Sequence, residues 1–360
     1  MANVIQHGSY VLANRTEELK GFEQELESGH LVGEWQIPRR PQPDPGGVPY
    51  IWKWDFMFNM MRQAGEVLGL EEGGRRSLLY TNPGIPTKGT TLSLRVGLQM
   101  LRPHEVAWAH RHSMGALRFV AKGNPKAYTV VDGENFYMEE NDLILTPQGT
   151  WHHHENPSDE YVIWLDAIDT PLVKNMNAIF YEQYASMKQA AVDDSDSVQL
   201  QVGWTRPRWH SVDAEKGLAV VYKWESTYNQ LKRLARKEGS PYDGVILEYV
   251  NPITGGPALP TMDCHVQMLR GAEETKSHRH TSGTVYFVIR GEGETVAGDQ
   301  VLRWSKGDGF VVPNWCWHHH RNLFRDEALL FSVSDAPLLK AAQLYREEAL
   351  RPTQASGVDT

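Results

Sequence analysis

The chain has 360 residues and fifteen histidines, and ten of these histidines stand in four short tracts. Two tracts read His-Arg-His, at 110–112 and 278–280, and two are runs of three, at 152–154 and 318–320. Neutral imidazole is the commonest metal ligand and titrates near neutral pH. Side chains alternate along a strand, so His110 and His112 share one face while Arg111 points the other way. About forty residues later the run Pro147-Gln148-Gly149-Thr150-Trp151-His152 closes a strand-turn-strand stretch. That return brings His152 back beside the pair. Three imidazoles on a rigid β scaffold make a facial set with open coordination positions. His278, His280 and His318 repeat the set. A histidine run elsewhere is a solvated loop or a terminal tag. These runs are internal and follow proline-containing strand patterns, which favours metal binding.

The elements that must position these histidines are written twice. AHRHSMGALRFVAKG (109–123) is answered by SHRHTSGTVYFVIRG (277–291), and TPQGTWHHHEN (146–156) by VPNWCWHHHRN (312–322). QMLR at 99–102 precedes His110 by the interval at which QMLR at 267–270 precedes His278. A displacement of about 168 residues is too long for a solenoid repeat and marks a duplicated domain. Short alternating or β-branched runs punctuated by Gly, Pro, Asn and Asp predict strands. The expected fold has an all-β core with flanking helices, built as two tandem double-sheet jelly rolls. Helical patterns fall at 50–70, 171–191 and 336–350. The expected organisation is an N-terminal arm over 1–75, a first β unit over 76–191, and a connection over 192–245. A second unit with a terminal helix follows over 246–350, then a tail over 351–360.

Strand parity also assigns neighbours to the first triad. Arg118 lies six residues after His112 and shares its face. A buried arginine is costly unless it meets an anion, and a substrate carboxylate would do so through two hydrogen bonds. The second unit has Tyr286 at this place, so only the first looks built for an anion. His154 shares parity with His152 and can donate to a bound oxygen or act as acid or base. Arg95 and Gln99 share a face on the preceding strand, and Asp166 and Asp169 follow a strand that should border the site.

Composition narrows the classes. The formal net charge is −9 and no Lys/Arg-rich run stands out, which argues against nucleic acid as partner. The two cysteines, Cys264 and Cys316, form no CxxC pair, so neither a disulfide framework nor a thiolate metal site is expected. No apolar leader and no run long enough to span a membrane are read in the sequence. These features together suggest a cytoplasmic protein.

The motifs resemble the cupin superfamily. Its first motif is His-x-His, then Glu four residues on and Gly seven on. Its second contains Pro-x-Gly, two residues, His, three residues, Asn. His110, His112, Gly123, Pro147, Gly149, His152 and Asn156 fit, as do His278, His280, Gly291, Gly307, Pro313, His318 and Asn322. Ala116 and Thr284 stand where a cupin usually has its Glu ligand. A three-His set without that Glu keeps the full dication charge and more open positions. It suits a bidentate anionic substrate with dioxygen on Fe(II).

Over roughly residues 45–350 the likeness narrows to the gentisate 1,2-dioxygenase family, which includes salicylate and 1-hydroxy-2-naphthoate ring-cleaving enzymes. VPYIWKW (48–54), GGRRSLLYTNPG (73–84), LILTPQGTWHHHENP, WLDAIDTPLV and NPITGGPALPTM (251–262) carry it. The resemblance implies a bicupin oxidoreductase with one Fe(II) per subunit on His110, His112 and His152. It implies a substrate carboxylate held by Arg118 and by an arginine of the Arg75-Arg76 pair. His154, Gln99 and Asp166 would line or order the pocket. The ring of a small aromatic hydroxy-carboxylate would open between its carboxyl-bearing and hydroxyl-bearing carbons, with O2 as co-substrate. A second metal is allowed at His278, His280 and His318, and a homotetramer is expected. Arg95 stands where members often carry a bulky apolar residue, and His153 replaces a common Asp. A 5-substituted salicylate such as 5-nitrosalicylate is therefore an alternative to gentisate, beside salicylate and 1-hydroxy-2-naphthoate. The competing readings are a three-His dioxygenase of diketones or thiols, and a non-catalytic metal- or sugar-binding bicupin.

Overall fold

The computed structural model describes residues 16–69, 76–190 and 220–350. The chain divides into a short unit up to Asp44 and a large one from Pro45. In the short unit, Thr16 caps the helix Glu17–Ser28 by accepting from the Leu19 amide. The Trp35 indole donates to Glu23 at 3.1 Å and stacks on Phe22.

Among the described residues, the large unit holds four antiparallel sheets in two matching pairs. The first pair is a six-stranded sheet ordered Val221–Tyr222, Leu143–Thr146, Ala116–Lys122, Val162–Ile168, Arg95–Leu101, Arg76–Leu79, and a five-stranded sheet. The latter is ordered Tyr181–Gln183, Glu105–His112, His152–Asn156, Tyr128–Val131, Glu134–Tyr137. The second pair repeats this order, with Tyr50–Trp52, Gly309–Val312, Thr284–Arg290, Ala328–Ser334, Asp263–Leu269 and Val245–Glu248 in its six-stranded sheet.

Alternation gives each six-stranded sheet two apolar faces, as expected of a sheet buried on both sides. In the first, Leu101, Val120, Ile144 and Trp164 face inward against Ala107, Val131 and Phe136 of the five-stranded sheet. The outward residues Val96, Leu98, Leu117, Phe119 and Leu165 share one core with Val266, Phe287, Phe331 and Val333 of the second unit. Phe119 stacks on Phe331 with centroids 4.3 Å apart. The two β units are thus joined back to back.

The edges are exchanged. Tyr50–Trp52 precedes the first unit in sequence but pairs with Gly309–Val312 of the second. Val221–Tyr222 follows the first unit and pairs with its strand Leu143–Thr146. Each strand runs through a Lys-Trp pair into a helix, Trp54–Val67 or Trp224–Leu234. Lys53 and the Trp54 amide donate to Asp308 at 2.7 and 2.8 Å. Lys223 and the Trp224 amide donate to Asp142 in the same way. A second clasp also recurs: Asp169 accepts from Thr261, and Asp335 accepts from Ser93. Asp169 therefore ties the units together and is not part of the metal site.

Two helical readings from the sequence are corrected. Over 171–191 the helix is only Thr170–Asn175, and the strand Tyr181–Gln183 follows. Over 336–350 the helix is Ala336–Ala341, followed by the strand Glu347–Ala349. Asn177 and Gln343 adopt left-handed backbone angles, φ 53° and 60°, which stop each helix. The freed segments pair with the edges of the histidine strands, Tyr181 opposite His112 and Glu347 opposite His280. Of the segment read as a connection over 192–245, 192–219 lies outside the described residues, and 221–234 forms the strand and helix above. Replacing Phe119 with Ala should cost about 3–5 kcal/mol by opening a cavity between the units. The check is a lower urea midpoint with an unchanged m-value.

Candidate metal centre

His110 and His112 lie on Glu105–His112, and His152 begins the adjacent antiparallel strand, directly opposite His110. A register shift between Ala107 and His110 marks a β-bulge. Ala107 faces the interior with the apolar cluster, and the extra residue turns His110 and His112 to the same side. Trp108, inside the bulge, is exposed. All three histidines are buried, and their ligand-capable nitrogens lie within 4.8 Å of one another. Ring centroids are 4.2 Å apart for His110 and His152, and 4.9 Å for His112 and His152.

Hydrogen bonds set the tautomers. Nδ1 of His110 lies 2.9 Å from the Trp108 carbonyl, that of His112 2.9 Å from Met114, and that of His152 3.0 Å from Thr150. A carbonyl only accepts, so each Nδ1 carries the proton and each Nε2 keeps its lone pair. With Nδ1 so engaged, Nε2 of each neutral ring is the directed donor that a divalent metal requires. The odd-parity neighbours face away: Arg111 stacks on Trp151 and pairs with Glu182, and His153 meets Glu155 at 3.1 Å.

Arg118 sits on the six-stranded sheet opposite Asp166 in register, so both project to the same inner face. It is fully buried. Its Nη1 donates to Thr146 Oγ1, and its Nε lies 3.5 Å from Asp166 Oδ1. Nη2 has no hydrogen-bond partner. Burial draws the Arg118 pKa below its ordinary value, while Asp166 opposes that shift. Gln99 and Arg95 occupy the same inner face, and Gln99 Nε2 and Arg95 Nε are likewise buried without a partner. Arg95 forms no ion pair among the described residues, and Asp166 is matched with Arg118 instead.

His154 lies between these groups and the triad. Its ring is 6.0 Å from that of His152 and 4.9 Å from that of Trp164. Its Nδ1 is 2.9 Å from Thr129 Oγ1. The structure thus brings together His110, His112, His152 and His154 on one sheet, and Arg95, Gln99, Arg118 and Asp166 on the facing one. Arg75 lies outside the described residues. Its neighbour Arg76 is spent elsewhere, making two hydrogen bonds to Glu105 at 2.5 and 2.8 Å and one to the Leu68 carbonyl. Sequence reasoning missed Thr129, Thr146, Trp164 and Tyr181. Tyr181 stacks on His110 at 5.1 Å from a segment whose apolar spacing reads as helix.

The second triad has the same form. Its ligand-capable nitrogens also lie within 4.8 Å, and His320 meets Thr295 as His154 meets Thr129. Burial first, then the neighbouring histidines, lowers the pKa of His280 to about 4 and of His320 to about 3. His318 is lowered for the same reasons, so these rings are neutral at pH 7.

A family model described as "Cupin domain" matches residues 97–168 and 264–334. The chain is 37% identical to a 1-hydroxy-2-naphthoate 1,2-dioxygenase of Nocardioides sp. (strain KP7), over 93% of this chain and 89% of the relative. It is 38% identical to a 5-aminosalicylate 1,2-dioxygenase of Comamonas sp., over 92% of this chain and 90% of the relative. A crystal structure of a mutant salicylate 1,2-dioxygenase from Pseudoaminobacter salicylatoxidans, in complex with gentisate, superposes with a TM-score of 0.85 at 28% identity. That match covers 95% of this chain and 98% of the other. With two facing-sheet units, a three-histidine cluster in the first and these likenesses along nearly its whole length, the chain belongs to the bicupin family of ring-cleaving gentisate and salicylate 1,2-dioxygenases.

Proposed function

We propose that this enzyme cleaves gentisate or a 5-substituted salicylate, using one Fe(II) held by His110, His112 and His152. The observation that carries this reading is the fully buried Arg118, whose Nη2 lacks a hydrogen-bond partner on an inner face that meets the triad. A buried guanidinium left half-satisfied is costly, and a carboxylate is the ligand that relieves it. Relatives named for gentisate, 5-aminosalicylate and 1-hydroxy-2-naphthoate support the class of acid.

When bound, iron supplies open positions for a chelating carboxylate and hydroxyl and for activating dioxygen. The protein does the rest. Arg118 binds the carboxylate and fixes which ring carbon faces the centre. Asp166 is a positioning residue that holds Arg118, and Thr146 holds it from the other side. Gln99 offers an amide to the substrate's polar edge. His154, fixed by Thr129, holds or moves a proton at Nε2 beside the substrate hydroxyl. Arg95 presents a cation toward a ring substituent, which favours a polar group at the 5-position. Both atoms of O2 enter the product, the bond between the carboxyl-bearing and hydroxyl-bearing carbons breaks, and no external reductant is consumed.

Among the described residues, no helix is long and apolar enough to cross a membrane. A homotetramer in the cytoplasm remains part of this proposal. Phe22, Leu31, Val32 and Ile37 of the N-terminal unit, all exposed in the single chain, supply apolar surface for assembly.

Oxygen uptake by the Fe(II)-loaded protein should match substrate mole for mole, with loss of aromatic absorbance, for gentisate or a 5-substituted salicylate. Comparing gentisate, 5-aminosalicylate, 5-nitrosalicylate, salicylate and 1-hydroxy-2-naphthoate ranks the substituents, and no uptake with any of them rejects the reading. His112→Ala should lose iron and turnover together, while His278→Ala keeps turnover; the reverse pattern would reassign the chemistry to the second unit. Arg118→Met should lower kcat/KM by about 10–100-fold, the worth of a charge-assisted hydrogen bond. Asp166→Asn should give a smaller loss, mainly in KM, because it acts through Arg118.

A further inference from the structure

The two interiors carry opposite charge. Strand register aligns Arg118, which faces Asp166, with Tyr286, which faces Ser332. It aligns Arg95, which faces Ile168, with Asp263, which faces Ser334. Tyr181, beside the first histidine pair, aligns with Glu347 beside the second. Both inward arginines are therefore gone from the second unit. A cavity of about 340 Å³ there is lined by His278, His280, Asp243, Glu248, Asp263 and Glu347, among others.

The geometry at His278 is specific. Its Nδ1 lies 3.4 Å from Glu347 Oε1, which leaves Nε2 as the ligand atom. Asp243 Oδ1 lies 3.9 Å from that Nε2. The other Asp243 oxygen accepts from Ser240 Oγ at 2.7 Å, which fixes the carboxylate. Nε2 of His278 and Nε2 of His318 are buried with no hydrogen-bond partner, and the two residues are 4% and 1% exposed. Tyr242, next to Asp243, stacks on the His278 ring. Ala116 and Thr284, which open the strands after the two His-Arg-His tracts, offer no carboxylate, and in the second unit an acid arrives from a different segment, the turn at Asp243.

We propose that the second unit holds a divalent cation on His278, His280 and His318 with Asp243 as a fourth, carboxylate donor. Three neutral imidazoles and one carboxylate suit Fe(II), Mn(II), Co(II) or Zn(II). The carboxylate takes a position that the first centre keeps open and halves the charge left on the metal. With four acids against the one lysine, Lys340, in its lining, this cavity disfavours the aromatic carboxylates proposed for the first one.

The test is Co(II) binding by the full-length, chelator-stripped protein, followed by calorimetry and the cobalt absorption bands. It does not depend on ring cleavage, so its outcome is separate from that of the proposed activity. His112→Ala disables the first centre and isolates the second. This variant should still bind one equivalent of Co(II), and adding His318→Ala should abolish that binding. His112→Ala with Asp243→Asn should bind about 10–100-fold more weakly, with shifted absorption bands. Gentisate should leave the bands of the His112→Ala protein unchanged. No Co(II) bound by folded His112→Ala protein would overturn the site, and an unchanged affinity and spectrum in Asp243→Asn would overturn the fourth donor. If His112→Ala does not fold, wild-type protein should bind two equivalents and His318→Ala one; equal binding by both overturns the site.

Discussion

Each six-stranded sheet is apolar on both faces, and neither face can be left to water. The inner face is covered by the five-stranded sheet of its own unit, the outer face by the other unit. Phe119 and Phe331 meet at this back-to-back contact. A single unit would expose the outer residues Val96, Leu98, Leu117 and Leu165, all fully buried here, as one patch. Duplication therefore answers a burial problem first. Both histidine strands lie on the sheets away from the shared core, which lets the two interiors change independently.

The exchanged edge strands follow from the same contact. A β edge offers unpaired amide and carbonyl groups, and covering it removes a site for unwanted pairing. Tyr50–Trp52 and Val221–Tyr222 each extend one sheet, and the following helix is anchored by Lys and Trp on a buried aspartate. The polar clasps Asp169–Thr261 and Asp335–Ser93 add direction to an otherwise apolar contact.

Inside the first unit the apolar lining gives way to a polar set that is only partly satisfied. Arg118 and Asp166 stand 3.5 Å apart, and Arg118 Nη2 and Asp166 Oδ1 lack hydrogen bonds. An incompletely paired buried network costs more than an apolar one. Such sites persist where a ligand completes them. In the second unit Tyr286 and Ser332 replace the pair, and acids collect around the histidines instead. The same scaffold thus lines one interior with incompletely paired arginines and the other with carboxylates.

The triads, the duplication and the inward placement of Arg118 were legible in the sequence because each rests on local alternation. Two residues along a strand return to the same face wherever that strand lies. Contacts between distant segments were not legible. Nothing local to Arg76 shows that Glu105 takes its guanidinium, or that Asp243 reaches His278. The helical spacing over 171–191 and 336–350 was real, but Asn177 and Gln343 break it, and pairing with the histidine strands outweighs the local preference. The Lys-Trp pair repeated at 53–54 and 223–224 was a visible sign that the repeat reaches beyond the β units. The bulge before His110 was invisible, because it exists only in the pairing with His154 and His152. The sequence by itself determined which residues cluster as possible metal ligands and which arginine faces them, since period and residue type are properties of short segments. Only the tertiary structure decided which distant charges meet, because that depends on how strands far apart in the chain pair and pack.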